Sequence, residues 1–323
     1  MNRLALAMLA PLVLPMAVNA ETIRLYTSQP NADAQMTVDA FQAANPGITI
    51  DWVRDGTTQL MARIEAERAA GAGQPDVLLI ADSVTLEGLV QAGRLAAYRS
   101  PEAAAYDEAL YSPEGYYHST KLITTGIAYN TAATDRPAAW ADLADPAYRN
   151  LVAMPSPLYS GAAMIHLSTL TGDERLGWKH YEDLAANGVR ADGGNGGVFK
   201  AVASGEKPYG VLVDYMALRA KADGSPIDFV FPAEGATYVT EPVAIMAGTD
   251  NLEAAQKFVD FVISEPGQQL VAQMGYIPAR DGVASPAGFP ARESLKLMEF
   301  DAAQALANTE ANKARFSDVF GVK

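Results

Sequence analysis

The chain has 323 residues, with 38 carboxylates against 24 lysines and arginines, a formal net charge of −14 and no cysteine. That length allows two domains with sizeable cores. The acidic balance speaks against nucleic acid and anionic lipid as partners, and the missing thiols exclude disulfides, thiolate metal ligation and a lipid-modified cysteine.

Asn2-Arg3 gives a short cationic start, Leu4 to Val18 is apolar, and Val18-Asn19-Ala20 ends in small residues, so the spacing predicts a secretory leader cleaved after Ala20. A stop-transfer segment would need about 18 unbroken apolar residues, and no later stretch supplies them. The mature protein is therefore expected to be exported, soluble and periplasmic. Ile23–Ser28 and Ile48–Val53 alternate as strands, and Asp76–Ala81 is a nearly continuous apolar run, as in a strand covered on both faces. Helices are predicted between them, over 31–45, 59–70 and from Asp82-Ser83 to Gly93. Three strand–helix units in a row argue for an open α/β sheet with right-handed crossovers.

Residues 98–120 carry five tyrosines and little periodicity and read as an irregular connection. Leu122–Tyr129 follows as a long strand and Trp140–Leu143 as a short helix. Leu151–Met154 is a short apolar strand, two prolines then forbid helix, and Ser160-Gly161-Ala162 opens a helix with Ala163, Met164, Leu167 and Leu170 at helical spacing. A helix over 173–187, a glycine-rich loop over 193–197, a helix from Val198 to Ser204 and the strand Tyr209–Val213 come next. That strand runs into a helix opened by Asp214-Tyr215, and Ile227–Phe231 and Glu241–Met246 are further strands. A second α/β unit accounts for this half. The remainder is helical: 252–264, 265–274 and a C-terminal segment from Arg292.

One pattern recurs. Strands end in small polar loops that start helices: Thr27-Ser28-Gln29, Gly56-Thr57-Thr58, Asp82-Ser83, Ser160-Gly161-Ala162, Asn195-Gly196-Gly197 and Asp214-Tyr215. In an open α/β sheet such loops lie at the carboxyl edge of the strands, where ligands bind. Three come from each unit, so they predict a cleft lined by backbone N–H groups and hydroxyls from both. Ser160 is a good N-cap and Gly161 and Ala162 carry almost no side chain, which leaves the first-turn amides open to an anion. Each loop taken alone reads equally as ordinary helix capping or turn chemistry.

Enzyme signatures are absent: there is no HExxH, Walker loop, GxSxG elbow or GxGxxG after a strand. The three histidines sit on unrelated segments, and His166 lies about 120° around the helix from Ser160, so it reads as a packed side chain rather than a base.

With these residues in hand, the chain resembles the periplasmic solute-binding proteins of bacterial ABC importers, in the group that includes the ferric-ion-binding proteins. The stretches that carry the resemblance are YTSQ, DGTTQLMARIEAE, QPDVLLIADS, GIAYNT, WADLADPAYRNLVAMPSP, SGAA, GVFKAVASGE, VDYMAL and EAAQKFVDFVISEPGQQLVAQMGYIPAR. It implies the two-lobed α/β periplasmic binding fold (type II), with lobe 1 over 21–125 and 242–285, lobe 2 over 126–241 and a helical segment over 286–323. It also implies a monomer that serves an ABC permease and its ATPase, without cofactor or catalysis. In ferric relatives the loop matching Ser160-Gly161-Ala162 holds an anion, and the Asn195 loop also matches an anion contact. Adjacent tyrosines hold the iron at the position of Asp214-Tyr215-Met216, where only Tyr215 remains, and the first-lobe ligand positions fall near Pro30, Asn31, Ala81 and Asp82. An arginine-bearing strand motif is replaced by Thr124-Thr125. Ferric ion wants several anionic oxygens, and Tyr215 with Asp82 and Asp214 is a thin set. The resemblance thus implies a ligand that carries its own phosphate or phosphonate, with Asp82, Asp214 and Glu241 holding hydroxyls or an ammonium. A ferric-ion binder using Tyr215, and more remotely a secreted hydrolase, are the alternatives.

Overall fold

The structure, a computed structural model, describes residues 21–322, and the expected leader lies outside them. Strand β1 (Glu21–Thr27), helix α1 (Asn31–Ala44), β2 (Ile48–Arg54), α2 (Thr57–Ala69), β3 (Val77–Leu79) and α3 (Ser83–Gln91) form the first run of strand–helix units. Two short strands, β4 (Leu95–Ala96) and β5 (Tyr117–His118), bracket the tyrosine-rich connection, which is held by two 3-10 turns. The long strand β6 (Lys121–Asn130) then leads to β7 (Val152–Met154), α4 (Gly161–Gly172), α5 (Gly177–Ala186), β8 (Arg190–Ala191), α6 (Asn195–Ala203), β9 (Tyr209–Val213) and α7 (Asp214–Ala222). After β10 (Ile227–Val230), β11 (Thr237–Val239) and β12 (Val243–Met246) come α8 (Leu252–Ile263), α9 (Glu265–Gln273), β13 (Ile277–Pro278) and α10 (Ala302–Phe320).

Among the described residues these strands form two sheets. The first has the order β2-β1-β3-β12-β4, with β2, β1 and β3 parallel and β12 antiparallel to β3. The second has the order β10-β6-β9-β7-β8, with β11 and β13 also pairing along β6. Strand alternation sends side chains to both faces of each sheet. Ile23, Leu25, Val77 and Leu79 pack under α1 and α8, while Tyr26, Leu78 and Ile80 pack under α2 and α3. Ile127 and Tyr129 face α4 and α5, and Ala128 faces α6 and α7. Buried on both faces, β3 reads as an apolar run, which is why it was legible from sequence.

The chain crosses between sheets at two adjacent points. Thr120 N and Lys121 N both donate to Thr240 O, so the way into β6 and the way back through β11 to β12 lie side by side. The expected passage at 125/126 falls inside β6, which belongs to the second sheet from Lys121 onward. Three helix starts also differ from expectation by three residues or more, and the first is α6, which opens at Asn195 inside the expected glycine loop and not at Val198. Asp173 caps its own turn by accepting from Arg175 N, which delays α5 to Gly177. Residues 296–298 run extended beside Ala236, which delays the C-terminal helix to Ala302. Helix α10 packs on α3 as well as on α4 and α5, and thus touches elements flanking both sheets. No helix among the described residues is long and apolar enough to cross a membrane.

His166 is packed in the second core between the rings of Trp140 and Tyr181, with Nδ1 3.0 Å from Thr237 Oγ1. Burial lowers it to about 3 and His180 to about 4, so both rings are neutral in the fold. The unfolded chain takes up these protons below about pH 6.5, so stability present above that pH is lost as the pH falls towards the folded values. We expect His166 to account for about 3 kcal/mol of lost stability between pH 6.5 and 4. Urea unfolding across that range should show a shallower pH slope for His166→Gln, and an unchanged slope would refute the assignment.

Candidate functional site

Three of the predicted loops, around Asp82, Ser160 and Asn195, come together across the two sheets. Asp55 N donates to Thr27 O and Ser28 N to Leu79 O, which joins the ends of β2, β1 and β3. Asp82, at the next strand end, caps α3 by accepting from Thr85 N (2.7 Å). Its other carboxyl oxygen, Oδ2, points across to the second unit, 3.4 Å from where a Cβ on Gly161 would stand. Gly161 opens α4, whose N-cap is Ser160. Ser160 Oγ accepts from Ala163 N and from Asn195 Nδ2, both at 3.3 Å. Asn195 opens α6 and accepts from Val213 N at the end of β9 (3.3 Å).

Two helix amino ends are thereby fastened together. The N–H groups of Gly161 and Ala162 in α4, and of Asn195 and Gly196 in α6, have no acceptor among the described residues. Such amides, with the partial positive charge of the helix dipole, make a seat for an anion. Gly210 lets α6 come this close, since a Cβ there would stand 2.6 Å from Val198. The 155–160 loop is tied to the same place because Ser156 N donates to Gly193 O (3.0 Å). Ser28, which follows β1 in the first sheet, has a buried hydroxyl oxygen with no partner among the described residues.

Not every predicted residue joins this seat. Thr27 is fully buried and its hydroxyl accepts from Gln29 N, so it stabilises its own loop. Asp214 is buried and turned towards β6, accepting from Thr124 N (3.1 Å), Thr124 Oγ1 (2.7 Å) and Tyr215 N (2.6 Å). Burial pushes its carboxyl up to about 6. Its place is therefore structural, with Thr124 as the partner. Thr57 and Thr58 begin α2 after Gly56, which caps without any side chain, and neither hydroxyl bonds a residue of the seat. Tyr215 lies 4.9 Å from Tyr276 in ring centroids, and burial, followed by the nearby Glu241 charge, raises its phenol to about 12.

The sequence reading missed most of a buried charged network beside Tyr215. Lys121 pairs with Glu241, which also accepts from Gln29 Nε2 (3.2 Å). Lys121 Nζ stands 4.3 Å from the centroid of the Tyr276 ring, and the Arg219 guanidinium lies at the same distance from that ring. Tyr276 donates to Asp33 Oδ2 (2.5 Å). A charge opening an otherwise apolar strand, as Lys121 does in KLITTGIAY, was the available signal. Around the network the lobes meet through apolar contacts in which Val84, Ala162, Tyr215 and Met216 share one cluster with Val271 and Tyr276. A cavity of about 1040 Å³ lies elsewhere, between the C-terminal half of α4, Trp178 and residues 296–312.

Residues 73–305 match the family model described as bacterial extracellular solute-binding protein. The chain belongs to that family. It is similar to iron uptake protein A1 of a Synechocystis strain, 27% identical over 292 residues, which covers 82% of this chain and 79% of the relative. Among solved structures it is similar to the periplasmic binding protein AfuA of Actinobacillus pleuropneumoniae with fructose-6-phosphate bound, at a TM-score of 0.80 and 21% identity, covering 94% of this chain and 99% of AfuA. Iron-bound HitA of Pseudomonas aeruginosa gives the same TM-score at 23% identity, covering 93% of this chain and 99% of HitA. This solute-binding protein thus has the two-lobed periplasmic binding fold. Its family supports a role in binding a solute rather than in catalysis.

The Lys121–Glu241 pair gives a direct test of the charged network. Both side chains are almost wholly buried, at 1% and 5% exposure. Lys121→Met strands the Glu241 charge, and we expect it to cost about 3 to 5 kcal/mol, whereas Lys121→Met with Glu241→Gln recovers much of the loss. Equal urea midpoints for the single and double variants would show that the pair is not coupled.

Proposed function

We propose that this solute-binding protein captures a small anionic organic solute, a phosphate ester or a phosphonate, between its lobes in the periplasm and presents it to a permease driven by an ATPase. The lobes we assign divide at the paired crossings, 120–121 and 240–241. The observation that carries the reading is the pair of amino ends, α4 and α6, locked by the Ser160–Asn195 hydrogen bond with four amides unsatisfied. Ser160, Gly161, Ala162 and Asn195 would hold the anion, and Ser28 and Asp82 would meet the remainder of the solute from the other lobe. Asp82 is buried, which raises its pKa, and it fits a hydroxyl or an ammonium as its partner.

A ferric-ion role draws on relatives of that description, but the donor set here speaks against it. Iron would need the Tyr215 phenolate, and burial adds to the cost of removing that proton. Among the described residues no three histidine, aspartate or glutamate side chains cluster as metal ligands. The hydrolase alternative would need a base, and His166 is buried on Thr237.

Calorimetric titration with phosphate monoesters, aminoalkylphosphonates and ferric citrate separates the readings. We expect heat of binding from the first two classes and none from iron. Tight iron binding with a tyrosinate charge-transfer band would overturn the proposal. A phenylalanine side chain at Gly161 would push against Asp82 and cover the seat, so Gly161→Phe should weaken anion binding at least about a hundredfold, roughly the loss of two charge-assisted hydrogen bonds. Its far-UV circular dichroism should match wild type, and retained affinity would mean that the α4 amino end is not the seat.

A further inference from the structure

Tyr159, next to the N-cap of α4, is 78% exposed, an unusual position for a tyrosine on a folded surface. It is not a loose side chain. Its backbone N–H donates to Ser156 O (3.1 Å), and the preceding Pro155-Ser156-Pro157 stretch is buried. The edge of its ring lies on Gly194, the N-cap of α6, with Cε1 and Cδ1 3.0 and 3.1 Å from where a Cβ would stand. The ring therefore reaches from the residue before the N-cap of α4 to the N-cap of α6, where the two amino ends are joined. Leaving an aromatic face in water at this point gains nothing for the fold, since little of the ring is buried.

We propose that Tyr159 determines specificity by covering the organic part of the solute once its anion sits on the two amino ends. The solute class is then narrower than a small anion: a phosphate ester or phosphonate whose organic group offers a flat or apolar face to an aromatic ring. This rests on the anion-binding reading above. Gly194 belongs to the same device, because any side chain there would displace the ring from the seat.

Two monoesters with the same anionic group, methyl phosphate and phenyl phosphate, separate the seat from the cover. By calorimetry, wild type should prefer phenyl phosphate. Tyr159→Ala should lose about tenfold on phenyl phosphate, as expected for the apolar area of one ring face, and stay within about twofold on methyl phosphate. Tyr159→Phe should keep the preference, and both variants should unfold at the wild-type temperature because so little of the ring is buried. Equal losses on both esters, or no loss on either, would overturn the role of Tyr159 while leaving the anion seat standing. Binding of neither ester by wild type would overturn the seat and the cover together.

Discussion

A lysine and a glutamate buried against each other, Lys121 and Glu241, fix the place where the chain passes between its two sheets. Glu241 adopts a left-handed backbone (φ 40°), which an unbranched non-glycine residue takes at a cost of about 1 kcal/mol or more. It is held there from several sides, because Thr120 donates to its carbonyl (2.7 Å) and Gln29 to its carboxylate. From that point β6 runs against β9 with Thr125 opposite Val213. The register puts Thr124 beside Asp214, starts α7 there and lays Tyr215 on Tyr276. Misplacing the crossing by one residue would reverse every face of β6 and undo both the second core and the loop ends that converge on the seat.

How much of this was legible depends on the range of the interaction. Strands such as Tyr209–Val213 and helices such as α8 carry their periodicity in consecutive residues, so their existence could be read directly. Strands β4, β5, β8 and β13 have two residues each, too few for any period, and exist because a long neighbour offers free backbone groups. The N-cap roles of Ser160 and Asp82 were visible because capping is local. Thr27 and Asp214 show the limit of that logic. A small polar residue after a strand looks the same in sequence whether it turns to the cleft or into the core, and only the partner, Gln29 N or Thr124, decides. The network of Gln29, Asp33, Lys121, Arg219, Glu241 and Tyr276 joins residues up to 243 positions apart, and no local pattern announces it.

On the reading proposed here, a chain with a formal charge of −14 holds an anion on backbone amides. The apparent conflict is one of distance. Surface carboxylates are screened over about 10 Å, while amide dipoles at two adjacent helix ends act at hydrogen-bonding range in a partly dry cleft. Lysine would supply more attraction, but as a mobile point charge it fixes no geometry. Arg219 and Lys121 are held by Tyr276 and by the acidic groups around it, and Arg54 by the carbonyl of Gln29. Attraction is thus left to fixed backbone, which selects shape. The opposing lobe brings Asp82 to the amino end of α4, so closure sets a carboxyl against the place of the bound anion. A solute with a donor between the two satisfies both, so the contact with Asp82 favours such anions over those that lack one.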